Sequence, residues 1–187
     1  MKNNGPLFIQ EASMSKLQIL SSTWQAIAYT RKSPIKGKQN HDAIGLRKLG
    51  DKIYLNISDG MGGLPFSQQA SKSVVKDLLK LIESKGIIES IQKSEQKLKK
   101  TYEGAGTTLT SARIYRNKLR VYNVGDSGLC VYSKSQKKMI FETHSQNSYS
   151  LLKEVLGEEI TNYFNSKFLE SKKSELLNFL GNEEFNI

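Results

Sequence analysis

Residues 58–65 read Ser58-Asp59-Gly60-Met61-Gly62-Gly63-Leu64-Pro65, and the rest of the chain can be interpreted outward from this loop. Its glycines and proline exclude a regular helix or strand. The Asp59 carboxylate and the carbonyl of Gly60, which has no side chain in the way, offer oxygen ligands of the kind that Mg²⁺ or Mn²⁺ prefers. Asp-Gly is also a very common turn dipeptide, so a turn-forming role for Asp59 stays open at this point.

A β-hairpin is predicted immediately upstream of the loop. The apolar runs 43–49 and 52–58 are separated by Gly50-Asp51, a pair typical of tight hairpin turns. Asn40-His41-Asp42 enters the first of these strands as Asp59 leaves the second. Two carboxylates are thus expected at strand ends.

Downstream of the loop the hydrophobic period changes from strand to helix and back. An amphipathic helix is predicted from Ser67 and is broken at Gly86, and a Lys-rich helix follows to about Thr101. Further strands are predicted at 107–116, 119–124, 129–133 and 139–141. C-terminal helices follow from Tyr149, and the last of them includes Leu176, Leu177 and Leu180. Hairpin-linked strands with helices on an outer face predict an α+β fold rather than alternating βαβ units.

Length and composition exclude several classes of protein. The 187 residues carry a formal charge of +10 and are 37% hydrophobic, which suits one domain with a sizeable core. No apolar run is long enough for a bilayer span, and residues 1–6 have no apolar segment of a secretory signal. Together with the lone Cys130, these features favour a cytoplasmic protein that does not enter membranes.

The basic excess raises the possibility of nucleic-acid binding. Much of it is a run of lysines between Lys72 and Lys100, interleaved with Leu and Ile. Lysines spaced in this way are typical of the solvated side of an amphipathic helix. No zinc-finger spacing or aromatic platform accompanies them, so a nucleic-acid-binding module is the least favoured interpretation.

Five short motifs in order carry a family resemblance: Asn40-His41-Asp42, Ser58 to Gly63, Gly104 to Leu109, Asn123 to Ser127, and Thr143-His144-Ser145. This succession resembles the metal-dependent protein phosphatases of the PPM family, the type 2C serine/threonine phosphatases. The resemblance implies a four-layer αββα fold, an antiparallel β-sandwich flanked by helices. It also implies hydrolysis of phosphoserine and phosphothreonine in a phosphorylated protein substrate by a metal-activated water, and hence a role in signalling.

The same resemblance assigns roles to particular residues. Asp59 resembles the metal-bridging aspartate, Gly60 the carbonyl ligand, and Asp42 the acidic residue that holds metal directly or through water. Asp42 and Asp59 would therefore act in catalysis through metal-bound water, with two Mg²⁺ or Mn²⁺ ions as cofactors. Gly62 and Gly63 would let the backbone approach the metal site closely.

Some positions depart from the family pattern. His41 stands where the family has Glu or Gln, and Gly37 stands where it has a phosphate-binding arginine. Lys36 and Lys38 are the predicted phosphate contacts in its place, with Arg31 as an alternative. Gly106, Thr107, Thr108, Gly125 and Asp126 are predicted to be architectural, with Asp126 capping a turn or, alternatively, orienting loops near the site.

The end of the sequence also departs from the pattern. Residues 172–181 resemble a family segment that is followed by further strands carrying Ser-Asp-Gly and Asp-Asn motifs, and no aspartate follows Asp126 here. We therefore expect an N-terminal extension at 1–16 and, at 17–187, a phosphatase domain that lacks its last strands and metal-binding motifs. A second interpretation is a catalytically inactive relative that binds phosphorylated or acidic partners through its basic face. The oligomeric state is not predicted.

Overall fold

A computed structural model describes residues 7–9, 15–20, 25–31, 39–157, 166–173 and 178–181. Its secondary-structure elements, in chain order, are β1 Leu7–Ile9, β2 Ser15–Leu20, β3 Gln25–Thr30, β4 Asp42–Leu49, β5 Lys52–Asp59, α1 Ser67–Lys85, α2 Ile87–Thr101, β6 Leu109–Tyr115, β7 Lys118–Val124, β8 Cys130–Ser133, β9 Lys138–Glu142, α3 Ser148–Leu156 and α4 Ser166–Lys173. The predicted α+β class is confirmed.

The strands form one five-stranded antiparallel sheet, in the order β1-β4-β5-β6-β7, and two two-stranded sheets, β2-β3 and β8-β9. The two-residue turn Gly50-Asp51 places Leu49 opposite Lys52. From there the register runs to the other end of the hairpin, where Asp42 lies opposite Asp59. The hairpin predicted from the sequence is therefore present with both carboxylates at the same end.

Helix α1 packs directly against β4 because Gly45 leaves room for it. A Cβ built on Gly45 would lie 2.5 Å from Val75 Cγ1, closer than real side chains approach. The predicted apolar stripe of α1 is buried, and the main core joins this helix to α2 and the sheet through Tyr54, Ala70, Val74, Leu78, Ile82, Ile87, Ile91, Leu98, Ala105, Leu109, Val124 and Leu180. One face of the five-stranded sheet is thus covered by helices.

The helical lysines are largely solvated, as the sequence indicates. Lys85 and Lys93 both lie within 3.6 Å of the Glu89 carboxylate, and Lys97 pairs with Asp77 at 2.8 Å. These exposed pairs contribute little to stability. They fit the interpretation of the lysine run as the outer side of the helical layer.

Two parts of the chain differ from the sequence expectations. Leu7–Ile9, within the predicted N-terminal extension, pairs with β4 as an edge strand of the main sheet. Leu180, expected on a helix, instead forms an isolated antiparallel bridge with Thr107 because its side chain fills the core. Leu176 and Leu177 lie outside the described residues. The domain boundary at residue 17 stays a prediction.

Among the helices that the structure describes, none has the length and apolar character that crossing a bilayer would require.

Candidate functional site

An open cleft of about 870 Å³ lies at the end of the main sheet where β4 begins and β5 ends. It is bounded by the loop that follows β5 and by the start of β4. Its lining residues are Arg31, Gln39, Asn40, His41, Asp42, Asp59, Gly60, Met61, Gly62, Gly63, Leu64, Thr108 and Asp126. The first two motifs of the sequence therefore meet in one cavity.

Asp42 and Asp59 are directly opposite each other across β4 and β5. Side chains of directly paired residues in an antiparallel sheet project from the same face and approach within about 5 Å at Cβ. Ala43 lies opposite Ser58 on the other face, beneath α1. The two carboxylates are therefore held together on the face that the helices leave free.

The electrostatic environment of Asp59 follows from this pairing. Asp59 keeps an exposed surface in the cleft, but neighbouring protein atoms partly desolvate its carboxylate, and this desolvation is the largest cause of a raised pKa. The charge of Asp42, a hydrogen bond with the Asp42 side chain and the charge of Asp126 act in the same direction and bring the pKa of Asp59 to about 7. In the metal-free protein, Asp59 therefore keeps its proton to a higher pH than an isolated aspartate does.

Gly60 is fixed from two sides by backbone groups. Its N–H donates to the His41 carbonyl at 3.1 Å. A Cβ on Gly60 would lie 2.1 Å from the Ser67 carbonyl oxygen, so no larger residue fits without moving α1 or the loop. Two α1 hydroxyls hold the surrounding segments, since Ser67 donates to the Met61 carbonyl and Ser71 to the His41 carbonyl.

The Gly-Thr-Thr motif supports the Asp59 backbone. The Thr108 hydroxyl accepts from the Asp59 N–H at 3.0 Å and shares a hydrogen bond with the Ser127 hydroxyl at 2.6 Å. The Thr107 hydroxyl donates to the Asp59 carbonyl at 2.8 Å, and the Thr108 N–H donates to the same oxygen at 2.9 Å. The predicted architectural role of Thr107 and Thr108 matches these contacts.

A second support comes from the far end of the described chain. Leu180 exchanges backbone hydrogen bonds with Thr107, and the Gly181 N–H donates to the Glu95 carboxylate of α2 at 2.8 Å. Glu95 also pairs with Lys99 at 3.1 Å. Desolvation raises the pKa of the Glu95 carboxyl, and the contacts with Lys99 and Gly181 oppose that rise. The segment around Leu180 thus braces the strand that holds Asp59, a role that no local pattern in the sequence reveals.

The predictions for the cationic residues at the cleft have different outcomes. Lys36 and Lys38 lie outside the described residues, so their assignment to substrate phosphate stays a prediction. Arg31 lines the cleft together with Asp42 and Asp59. Within the described part of the chain, Arg31 therefore shares a cleft with the two carboxylates.

Asp126 lies beside the candidate site, as the alternative to a turn-capping role predicted. It lines the cleft, and its charge contributes to the raised pKa of Asp59. Gly125 precedes it with φ of 95° and holds the turn in a conformation that favours glycine, while a Cβ there would meet Thr108 at 2.8 Å. The turn geometry is therefore carried by Gly125, and Asp126 is left facing the cleft.

Gly62 and Gly63 differ in how closely protein atoms surround them. A Cβ on Gly62 would lie 3.4 Å from the His41 Nδ1 atom, at the tight end of ordinary contact. A Cβ on Gly63 would meet no atom within 4 Å. Close approach of the backbone to a metal ion at Gly62 and Gly63 stays a prediction.

The described donors suit one divalent cation better than two. Within the described residues, no group of three or more His, Cys, Asp or Glu side chains is arranged to hold a metal ion. Mg²⁺, however, is often held by one or two carboxylates while it keeps several of its waters. The facing carboxylates of Asp42 and Asp59 fit one such hydrated ion, and Gly60 lines the same cleft.

Comparisons with known proteins identify the fold. No protein-family model matches the chain, and no curated protein matches its sequence. Solved structures do match. The PPM Ser-Thr phosphatase MsPP from Mycobacterium smegmatis is 19% identical, with 90% of this chain and 68% of that chain covered and a TM-score of 0.60.

Two further structures agree with this match. The serine/threonine phosphatase Stp1 from Staphylococcus aureus is 19% identical, with 96% of this chain and 69% of that chain covered and a TM-score of 0.65. The S. agalactiae serine/threonine phosphatase is 16% identical, with 97% and 72% covered and a TM-score of 0.61. At these identities the likeness establishes the fold. The chain has the fold of the PPM serine/threonine phosphatases.

Proposed function

We propose that this protein is a metal-dependent phosphatase that hydrolyses phosphoserine or phosphothreonine in proteins. The observation that carries the proposal is the pairing of Asp42 with Asp59 in a cleft that Arg31 also lines. A cation site next to a guanidinium is chemically suited to a phosphate ester. The phosphatase fold adds support from the comparisons.

Each group in the cleft has a distinct task in this proposal. Asp42, Asp59 and the Gly60 carbonyl would hold Mg²⁺ or Mn²⁺. When bound, a divalent cation lowers the pKa of water and neutralises phosphate charge. The planar guanidinium of Arg31 donates to two phosphate oxygens and orients the ester, which a lysine could do only as a point charge. Lys36 and Lys38, which follow Arg31 in the sequence, would add further positive charge for the substrate.

The preceding contacts explain how these groups keep their positions. The backbone of Asp59 is tied by Thr107 and Thr108, and Gly60 is tied by His41. Small displacements of a catalytic group are costly, so a carboxylate held through its own backbone is suited to precise placement. No nucleophilic side chain is required for the reaction.

A second candidate, binding of phosphorylated partners without turnover, is favoured by one observation. The donors within the described residues suit a single ion, whereas direct attack by water on phosphate esters commonly uses two. In this case the cleft would bind a phosphorylated segment through Arg31 and one cation and release it unchanged.

The test measures phosphate release from a phosphothreonine peptide with and without Mn²⁺. Phosphatase function predicts a Mn²⁺-dependent rate that Asp59→Asn reduces by about a hundredfold or more. Thermal unfolding of both proteins with Mn²⁺ gives a readout of metal binding that does not depend on turnover. Binding of metal and peptide without release would establish the second candidate, and no Mn²⁺ effect on either readout would contradict both.

A further inference from the structure

A basic surface lies at the end of the main sheet away from the candidate site. It consists of five cationic residues that we call the basic edge: Lys52, Arg113, Arg116, Lys118 and Arg120. The hairpin formed by β6 and β7 contains four of them and no aspartate or glutamate. None of the ion pairs among the described residues includes a member of the basic edge.

The register of the sheet brings like charges together on this surface. Arg113 lies directly opposite Arg120 across β6 and β7, and Lys118 lies opposite Tyr115. Lys52 is opposite Tyr115 from the other side, with its Nζ atom 5.8 Å from the ring centroid. Like charges directly opposite each other destabilise a sheet, so an anion that binds here relieves repulsion within the folded protein.

The basic edge also has an open strand next to it. β7 is the last strand in the order of the five-stranded sheet, so one side of its backbone has no partner strand among the described residues. Lys118 and Arg120 are exposed and, being two residues apart, project from one face of β7. Leu119, 40% exposed, projects from the other face.

We propose that β7 binds an extended acidic segment of a partner protein as an added strand. The segment would carry glutamate or aspartate at alternating positions opposite Lys118 and Arg120, with apolar residues between them on the side of Leu119. Strand addition draws affinity from main-chain hydrogen bonds and specificity from alternate side chains. This surface is separate from the cleft and does not depend on phosphatase activity.

The test uses a short fluorescein-labelled peptide in which glutamate alternates with valine, and measures its fluorescence anisotropy with the whole protein. We expect saturable binding that the double variant Lys118→Glu with Arg120→Glu weakens by about tenfold or more. The matched control, Lys72→Glu with Lys80→Glu, makes the same charge change on exposed positions of α1 and should alter the Kd by less than about twofold. Equal weakening in both variants would overturn the proposal, since it would show attraction to net charge alone.

A peptide of opposite charge controls for a double variant that binds less only because it is misfolded. A peptide alternating lysine with valine should bind the Lys118→Glu, Arg120→Glu variant more tightly than it binds the unmodified protein. Failure of this exchange, with the variant still folded by circular dichroism, would contradict direct pairing at these two positions.

Changes to the peptide test the strand geometry with the protein unaltered. Grouping the glutamates and valines into two blocks, or replacing the valines by proline, should abolish binding because the alternation or the main-chain donors are lost. Undiminished binding of either peptide would overturn strand addition. A single-stranded oligonucleotide of equal charge that displaces the peptide with higher affinity would identify the basic edge as a nucleic-acid surface instead. Absence of any binding would show that the cations only protect an exposed strand from aggregation.

Discussion

Leu180 and Thr107 exchange two backbone hydrogen bonds, with the Thr107 N–H donating at 3.0 Å and the Leu180 N–H at 2.9 Å. The Thr107 hydroxyl donates in turn to the Asp59 carbonyl. A residue far along the chain therefore stabilises the strand end that carries a candidate metal ligand.

Leu180→Ala should destabilise the protein by about 2–5 kcal/mol, because the side chain is fully buried in the main core and its removal leaves a cavity. Urea unfolding measures the loss. Leu151→Ala, at a position 48% exposed on α3, is the control and should change stability by about 0.5 kcal/mol or less. Equal losses in the two variants would contradict the core position of Leu180.

Gly60→Ala should cost about 1–3 kcal/mol or more, since the new Cβ would collide with the Ser67 carbonyl at the start of α1. Gly63→Ala in the same loop should stay within about 0.5 kcal/mol, because its Cβ meets no neighbouring atom. Thermal unfolding of the two variants compares them directly. A Gly63 variant as unstable as the Gly60 variant would show that the loop packs differently.

Thr108→Val should lower stability by about 1–3 kcal/mol, because it leaves the Asp59 N–H and the Ser127 hydroxyl without the partner they share. We also expect the increase in Tm caused by Mn²⁺ to shrink, since the Asp59 backbone is held less firmly. Thr101→Val, at an exposed helix end, is the matched change and should affect neither quantity. An unchanged Mn²⁺ response in Thr108→Val would separate this hydroxyl from the site.

Asp59→Asn should stabilise the metal-free protein, and more so at pH 8 than at pH 4. The pKa of Asp59 rises from 3.8 to about 7 on folding, so between these values the folded state binds more protons than the unfolded chain. The contribution of the Asp59 carboxyl to stability therefore falls as pH rises from about 4 to about 7, whereas asparagine does not titrate.

Unfolding midpoints measured in EDTA across this range check the prediction. The difference between variant and unmodified protein should grow through the window and level off above it. A difference that is constant with pH would mean that folding does not raise the pKa of Asp59. At pH 8, Mn²⁺ should make the unmodified protein more stable than the Asp59→Asn variant, because the ion binds the ionised carboxylates of Asp42 and Asp59.

Much of the site was predictable because its geometry is local. The Gly50-Asp51 turn permits few pairings, and a two-residue turn between Leu49 and Lys52 places Asp42 opposite Asp59 by counting residues. The motif around Asp59 and Gly60 indicated the same oxygen donors that the cleft brings together.

What the sequence did not reveal depends on contacts between distant segments. The bridge between Leu180 and Thr107 has no local signal, and the apolar spacing around Leu180 resembled a helix because core positions of either structure are apolar. Asp126 was interpreted as a turn cap because a carboxylate after glycine is common in turns, and its place in the cleft depends on how that turn packs beside Thr108.

Side chains alternate between the two faces of a strand, so the spacing between Asp42 and Asp59 also determines which face each carboxylate occupies. A single residue inserted into the Gly50-Asp51 turn, if the remaining pairs of β4 and β5 shifted to accommodate it, would leave Asp59 opposite a neighbour of Asp42 and turn one carboxylate toward α1. The length of that turn therefore controls whether the cleft has two facing carboxylates or one, although the turn lies at the opposite end of both strands.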